Sequence, residues 1–136
     1  MIDPAAVTVL TDGCGRGFTV LCTIREIELL ASLASIAGPT GLVIAGGREP
    51  APGDTWRPVR CAPALGIPVR SHVIDTAVIA ATADLAEMAD EVRRVLVPGG
   101  DVRVLLVGAA DAGAVLRDAA IEPLRQDSGV LIARGP

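Results

Sequence analysis

Residues 7–17, VTVLTDGCGRG, set an apolar, β-branched run directly against three alternate glycines, and a fold for this chain has to place that junction first. Val7, Val9 and Leu10 suit a strand buried on both faces of a parallel sheet, where strict alternation is not needed. Gly13, Gly15 and Gly17 lack a Cβ and tolerate positive φ, so the backbone turns sharply and its N–H groups approach a ligand at a helix N-terminus. The pattern predicts a strand, a nucleotide-binding turn and a helix. Its competitor is a hairpin between VTVLTD and FTVLCT with the glycines at the tip. A central strand of a parallel sheet has no free slot for that antiparallel partner, so the turn into a helix is preferred.

Residues 18–37 contain no Gly or Pro, and Ile24, Ile27, Leu30, Leu33 and Ala37 recur at helical spacing, which predicts helix at least from Thr23. FTVLCT is β-branched and stays open as a strand. Gly38, Pro39 and Gly41 stop the helix, and Leu42 to Ala45 reads as a short strand ending in Gly46 and Gly47. Residues 48–58, REPAPGDTWRP, are too rich in proline for a full crossover helix. Short strands are expected at 59–61 and 76–81, and Thr82 is placed to cap a helix over 83–97 with a stripe of Leu85, Met88 and Val92. Pro98, Gly99 and Gly100 end that helix, a strand follows over 101–107, and Asp111 caps a shorter helix to about Ala120. The tail makes two strands around Asp127, Ser128 and Gly129, antiparallel because their connection is short and helix-free. Alternating strands and helices closed by a hairpin describe an α/β, Rossmann-like three-layer sandwich with a mostly parallel sheet.

The chain of 136 residues fits one domain, 1–136. Hydrophobic residues make up 51%, yet no apolar run approaches the roughly 18 residues of a membrane span, and no charged leader precedes an apolar core, so a cytoplasmic protein is expected. Cys14, Cys22 and Cys61 have no metal-ligand spacing, and their odd number argues against a disulfide framework. The net charge of −4, the absence of a basic run and the presence of only two aromatic residues, Phe18 and Trp56, disfavour nucleic acid as a ligand. On this reading a single helix covers one face of the sheet. The apolar face left open predicts a homodimer or a complex with another chain.

The pattern resembles the class I S-adenosylmethionine-dependent methyltransferase superfamily over nearly the whole chain. VTVLTDGCGRG resembles its glycine loop, and SIAGPTGLVIAGG the end of its first helix and its second strand. EVRRVLVPGGDVRVLL, with Asp75 ahead of it, is similar to its later motifs, and the tail to its closing antiparallel pair. The resemblance implies a seven-stranded sheet, S-adenosylmethionine as cofactor and methyl transfer to a small molecule. Carried over, Asp12, Gly13, Cys14, Gly15 and Gly17 line the methionine and ribose end, Gly47 stands where the family has its ribose-binding acid, and Ala62 where it has an acid facing adenine. Asp12 falls one position later than the family's acid. The first helix is also about two turns longer than usual, unless the first strand is 18–22, in which case TIRE replaces the glycine loop and the cofactor site is gone. The alternative reading is therefore a non-catalytic relative that kept the sheet, lost the cofactor site and serves as an oligomeric or regulatory partner.

No catalytic group is assigned. His72, in a loop expected near the cleft mouth, has no second member of a constellation beside it. Asp75 reads as a turn-capping residue, Trp56 as packed on the sheet, and Glu87, Asp90, Glu91, Arg93 and Arg94 as a solvated helix face.

Overall fold

The computed structural model describes residues 2–108 and 111–136. Asp3 and Pro4 decide how the chain begins. The Asp3 carboxylate accepts the Ala5 N–H at 2.9 Å and Pro4 occupies the first turn, so the chain opens with a helix, α1 (Pro4–Thr11). Within it the Thr8 and Thr11 hydroxyls donate back to the Pro4 and Val7 carbonyls at 3.1 and 2.9 Å. Ala6, Val9 and Leu10 are buried, a helical spacing and not an alternation. The strand expected at 7–11 is thus corrected to a helix.

The first strand is β1 (Thr19–Cys22), the possibility kept open for FTVLCT. Next come α2 (Ile27–Ala37), β2 (Leu42–Gly47) and, after a helix-free proline-rich stretch, β3 (Arg57–Arg60). β4 (Ile74–Ala80), α3 (Leu85–Val95), β5 (Leu96–Leu105), α4 (Ala112–Asp118), β6 (Glu122–Asp127) and β7 (Val130–Arg134) complete the chain. The seven strands run β3-β2-β1-β4-β5-β7-β6. The first five are mutually parallel, and β7 lies antiparallel between β5 and β6. This is the Rossmann-like, mostly parallel seven-stranded sheet with a closing antiparallel hairpin that the sequence predicts.

α3 starts at Leu85 after Asp84, not after a cap at Thr82, and stops at Val95, before Pro98, Gly99 and Gly100, which form an irregular start to β5. The β4–β5 register jumps there from Ile74 opposite Leu96 to Thr76 opposite Asp101. Asp111 caps α4 as expected, accepting the Ala114 N–H at 3.1 Å.

Strand alternation divides the core into two. Val20, Cys22, Val43, Ala45 and Val78 pack with α1 and α2, whereas Leu21, Ile44, Ala77, Ile79, Val102 and Val104 lie in the core with α3 and α4. α1 is the second cover for the face expected to carry one helix. The open-face argument for a homodimer therefore has no basis among the described residues. Trp56 is half-buried against the α2 side and donates its indole N–H to the Ala51 carbonyl at 3.0 Å. No helix among the described residues is long and apolar enough to cross a membrane.

Side chains at the amino ends of the strands hold α1 in place. Arg103, buried on β5, donates to the Val9 carbonyl at 3.0 Å and pairs with Asp101 at 2.8 Å and with Asp12, the residue that ends α1. Burial works against its charge, but the two carboxylates outweigh that and hold the guanidinium above its ordinary pKa. Thr76 Oγ1 donates to the Gly13 carbonyl at 3.0 Å, and Asp75 accepts the Thr19 N–H at 2.8 Å.

Candidate functional site

Parallel strands that turn away at their carboxyl ends leave a crevice where successive connections diverge, and β1 is such a point because it pairs with β2 on one side and β4 on the other. A cavity of about 460 Å³ opens there. Thr23, Ile24 and Arg25 enter it from the loop after β1, Gly46 to Glu49 from the end of β2, Cys61 and Ala62 from the end of β3, and Ala80 and Thr82 from the end of β4. Leu85, Met88 and Val92 of α3 and Ile67 of the preceding loop form an apolar wall.

The two terminal glycines of β2 differ in purpose. A Cβ at Gly46 would stand 2.9 Å from Cys61 Sγ and 3.3 Å from Leu21 Cδ1, so packing alone requires glycine. A Cβ at Gly47 would meet only the Glu49 nitrogen, at 4.0 Å, so that side of the strand end is open to a ligand.

Charges collect at the rim. Arg25 Nε donates to the Glu49 carbonyl at 2.9 Å, joining the β1 and β2 loops. Arg48 pairs with Asp84 at 3.2 Å, joining the β2 loop to the start of α3; these side chains are 64% and 42% exposed, so the pair adds little stability. The lip formed by residues 62–71 is fastened from α3. Glu91 accepts the Ile67 N–H at 2.9 Å and the Arg94 guanidinium at 2.6 Å, and Arg94 also donates to the Ile67 and Val69 carbonyls at 2.8 and 3.0 Å. The helix face read as solvated charge pairs thus includes a loop clamp. Arg94 and the Ile67 N–H hold the Glu91 carboxyl below its ordinary pKa.

Burial pushes the Cys22 thiol up to about 12 and also raises that of Cys61, so both cleft thiols are protonated at neutral pH and neither is a ready nucleophile. No group of three or more His, Cys, Asp and Glu side chains able to hold a metal occurs among the described residues.

Of the site residues expected from the sequence, Gly47 and Ala62 line this cleft. Asp12, Gly13, Cys14, Gly15 and Gly17 do not. They form the turn between α1 and β1, at the amino end of the sheet, because the segment before them is a helix and not the first strand. There Gly17, at φ 81°, donates its N–H to the Ala37 carbonyl at 2.8 Å and so ties the turn to the end of α2. His72 also lies away from the cleft mouth: it precedes β4, is exposed, and donates its backbone N–H to the Arg94 carbonyl at 3.0 Å. The residues gained are Thr23, Ile24 and Arg25, within the TIRE loop that follows once β1 is placed at 19–22.

No sequence-family model matches the chain. No curated protein matches it either. Solved structures do. A SAM-dependent methyltransferase from Aquifex aeolicus is 18% identical, covering 97% of this chain and 93% of its own, with a TM-score of 0.72. The Burkholderia thailandensis 1,6-didemethyltoxoflavin-N1-methyltransferase, solved with 1,6-didemethyltoxoflavin and S-adenosylhomocysteine, is 16% identical, covering 97% of this chain and 77% of its own, with a TM-score of 0.73. A chain from the Haloferax volcanii complex between the Trm112 methyltransferase activator and a methyltransferase is 16% identical, covering 96% and 88%, with a TM-score of 0.71. With the mostly parallel seven-stranded sheet and closing antiparallel pair that the resemblance implies, and with its likeness to these structures, the chain has the fold of the class I S-adenosylmethionine-dependent methyltransferases.

Proposed function

We propose that this chain is an S-adenosylmethionine-dependent, methyltransferase-like protein that binds its cofactor in the cleft at the carboxyl ends of β1 to β4 and acts on a small molecule. The observation that carries the reading is the position of the roughly 460 Å³ cavity, at the topological switch point and within the size range of small-ligand sites. The residues fit such a ligand in part. The loop after β1 faces the amino-acid end, the open side of Gly47 leaves room for the ribose with Glu49 two residues further along the chain, and Ala62 with Ile67 offers an apolar seat for the base. The bound cofactor supplies a sulfonium methyl group; the chain contributes orientation and an apolar wall that excludes water.

The second reading, a non-catalytic partner protein, is favoured by one specific feature. The loop at 23–26 contains no glycine, so side chains stand where a glycine turn would present bare backbone. A protein partner belongs with this reading, a second copy of the chain included.

Calorimetry and thermal unfolding with S-adenosylmethionine and S-adenosylhomocysteine up to millimolar concentration separate the two. Saturable heat with a rise in Tm supports the first reading. Flat titrations with both ligands remove it and leave the non-catalytic one.

A further inference from the structure

We infer that the cleft accepts an adenine nucleotide phosphorylated on its ribose, gripped by Arg25 and Arg48. This goes beyond the methyl-transfer reading: the cleft is shared, but the ligand is of another class. In dinucleotide-binding Rossmann folds a carboxylate bonds the free 2′-hydroxyl of the adenosine ribose, or a nearby arginine accommodates a 2′-phosphate. Here β2 ends in Gly46 and Gly47, and the next residue is Arg48. No acid stands at the strand end and a cation follows it directly; beyond its chain neighbours, the nearest atom to a Cβ at Gly47 is 4.0 Å away, so that side is open.

A second guanidinium reaches the same place. Arg25 comes from the β1 loop, and its Nε bond of 2.9 Å to the Glu49 carbonyl fixes it beside the end of β2. Among the described residues its two terminal amino groups have no hydrogen-bond or ion-pair partner. Among the described residues Arg48 is held only by Asp84, at 3.2 Å in a solvent-exposed pair, and a phosphate dianion competes well for such a partner because it offers more charge and more acceptor oxygens. Asp84 makes no side-chain cap bond to α3, so its release does not undo the helix start. Glu49 and Asp84 are the carboxylates that oppose the anion.

The test is calorimetric titration of the intact chain with adenosine 2′-monophosphate, adenosine 3′-monophosphate, adenosine 5′-monophosphate, adenosine and inorganic phosphate. One of the first two binds at least about tenfold tighter than adenosine and the 5′-monophosphate, the value of one charge-assisted contact. R25Q and R48Q each lose most of that preference, read as the ratio of ribose-phosphate to adenosine affinity. D84N, which frees Arg48, tightens the ribose-phosphate complex, so the proposal does not hang on loss-of-binding variants alone. Equal binding of the 5′-monophosphate, or indifference to R25Q, R48Q and D84N, overturns it. S-adenosylmethionine in the same series reports on the methyl-transfer reading separately: its binding without a ribose-phosphate preference defeats this inference and leaves that reading standing.

Discussion

Replacing Leu10 by alanine tests the reassignment of the opening segment from strand to helix. Leu10 is 0% exposed and packs in the core between α1, α2 and the sheet. Truncating a leucine so buried costs about 3 kcal/mol, the lower part of the range for such sites, because the surrounding side chains fill the cavity only partly. For a chain of this size that lowers Tm by roughly 10 °C. Thr8 supplies the contrast. In α1 it is exposed, its hydroxyl bonded only to the Pro4 carbonyl at 3.1 Å, so Thr8→Ala gains a few tenths of a kcal/mol of helix propensity and leaves Tm level or slightly raised. In a strand Thr8 and Leu10 would share one face and Val9 would take the other. Thermal unfolding followed by circular dichroism measures both variants. A loss of only about 2 °C for Leu10→Ala, or a Thr8→Ala loss matching it, would refute the helix and the packing derived from it.

Gly46→Ala is expected to destabilise by about 1–3 kcal/mol, since its Cβ would meet Cys61 Sγ at 2.9 Å, whereas Gly47→Ala leaves the urea midpoint unchanged. Gly47→Asp, which puts a carboxylate at the open strand end, strengthens S-adenosylmethionine binding about tenfold if the ribose lies there; unchanged calorimetric affinity contradicts that placement. Glu91 titrates below its ordinary value in the folded chain, so the clamp on the 62–71 lip is intact above the unfolded-state pKa and is lost as pH falls through the lower folded-state pKa. Glu91→Gln accordingly reduces stability at pH 7 and erases part of the acid-induced loss; wild-type and variant Tm curves that run parallel from pH 7 to about 3 would contradict this. Cys22, with its thiol pushed up to about 12, resists alkylation at about pH 8.5 in the native chain and reacts only on unfolding, as mass spectrometry of iodoacetamide-treated protein would show.

The later three-quarters of the chain was legible because its signals are local and agree with one another. The stop at Gly38 and Pro39, the Asp111 cap, the proline-rich crossover and the turn at Ser128 and Gly129 each match the structure. The opening was misread because two local signals conflict. The β-branched run VTVLT argues for a strand, but Asp3 and Pro4 argue for a helix start, and the cap with the burial of Ala6, Val9 and Leu10 along one helical face decides the outcome. That one reversal puts residues 12–17 at the amino end of the sheet, away from the cleft, while Gly47 and Ala62, assigned through later strands, line it. The clamp of Glu91 and Arg94 and the latch of Arg103 were not legible as such. Each joins segments more than twenty residues apart, and a charged helix face or an arginine in a strand looks the same in sequence whether or not a loop docks on it.

Where the ligand sits decides the account. Backbone amide shifts recorded by NMR during titration with S-adenosylhomocysteine locate it directly. Perturbations centred on residues 23–26, 47–49 and 62 are predicted, with residues 13–17 unmoved. Shifts centred on 13–17 would return the site to the glycine cluster and contradict the cleft, and an unperturbed spectrum at millimolar ligand would contradict cofactor binding altogether.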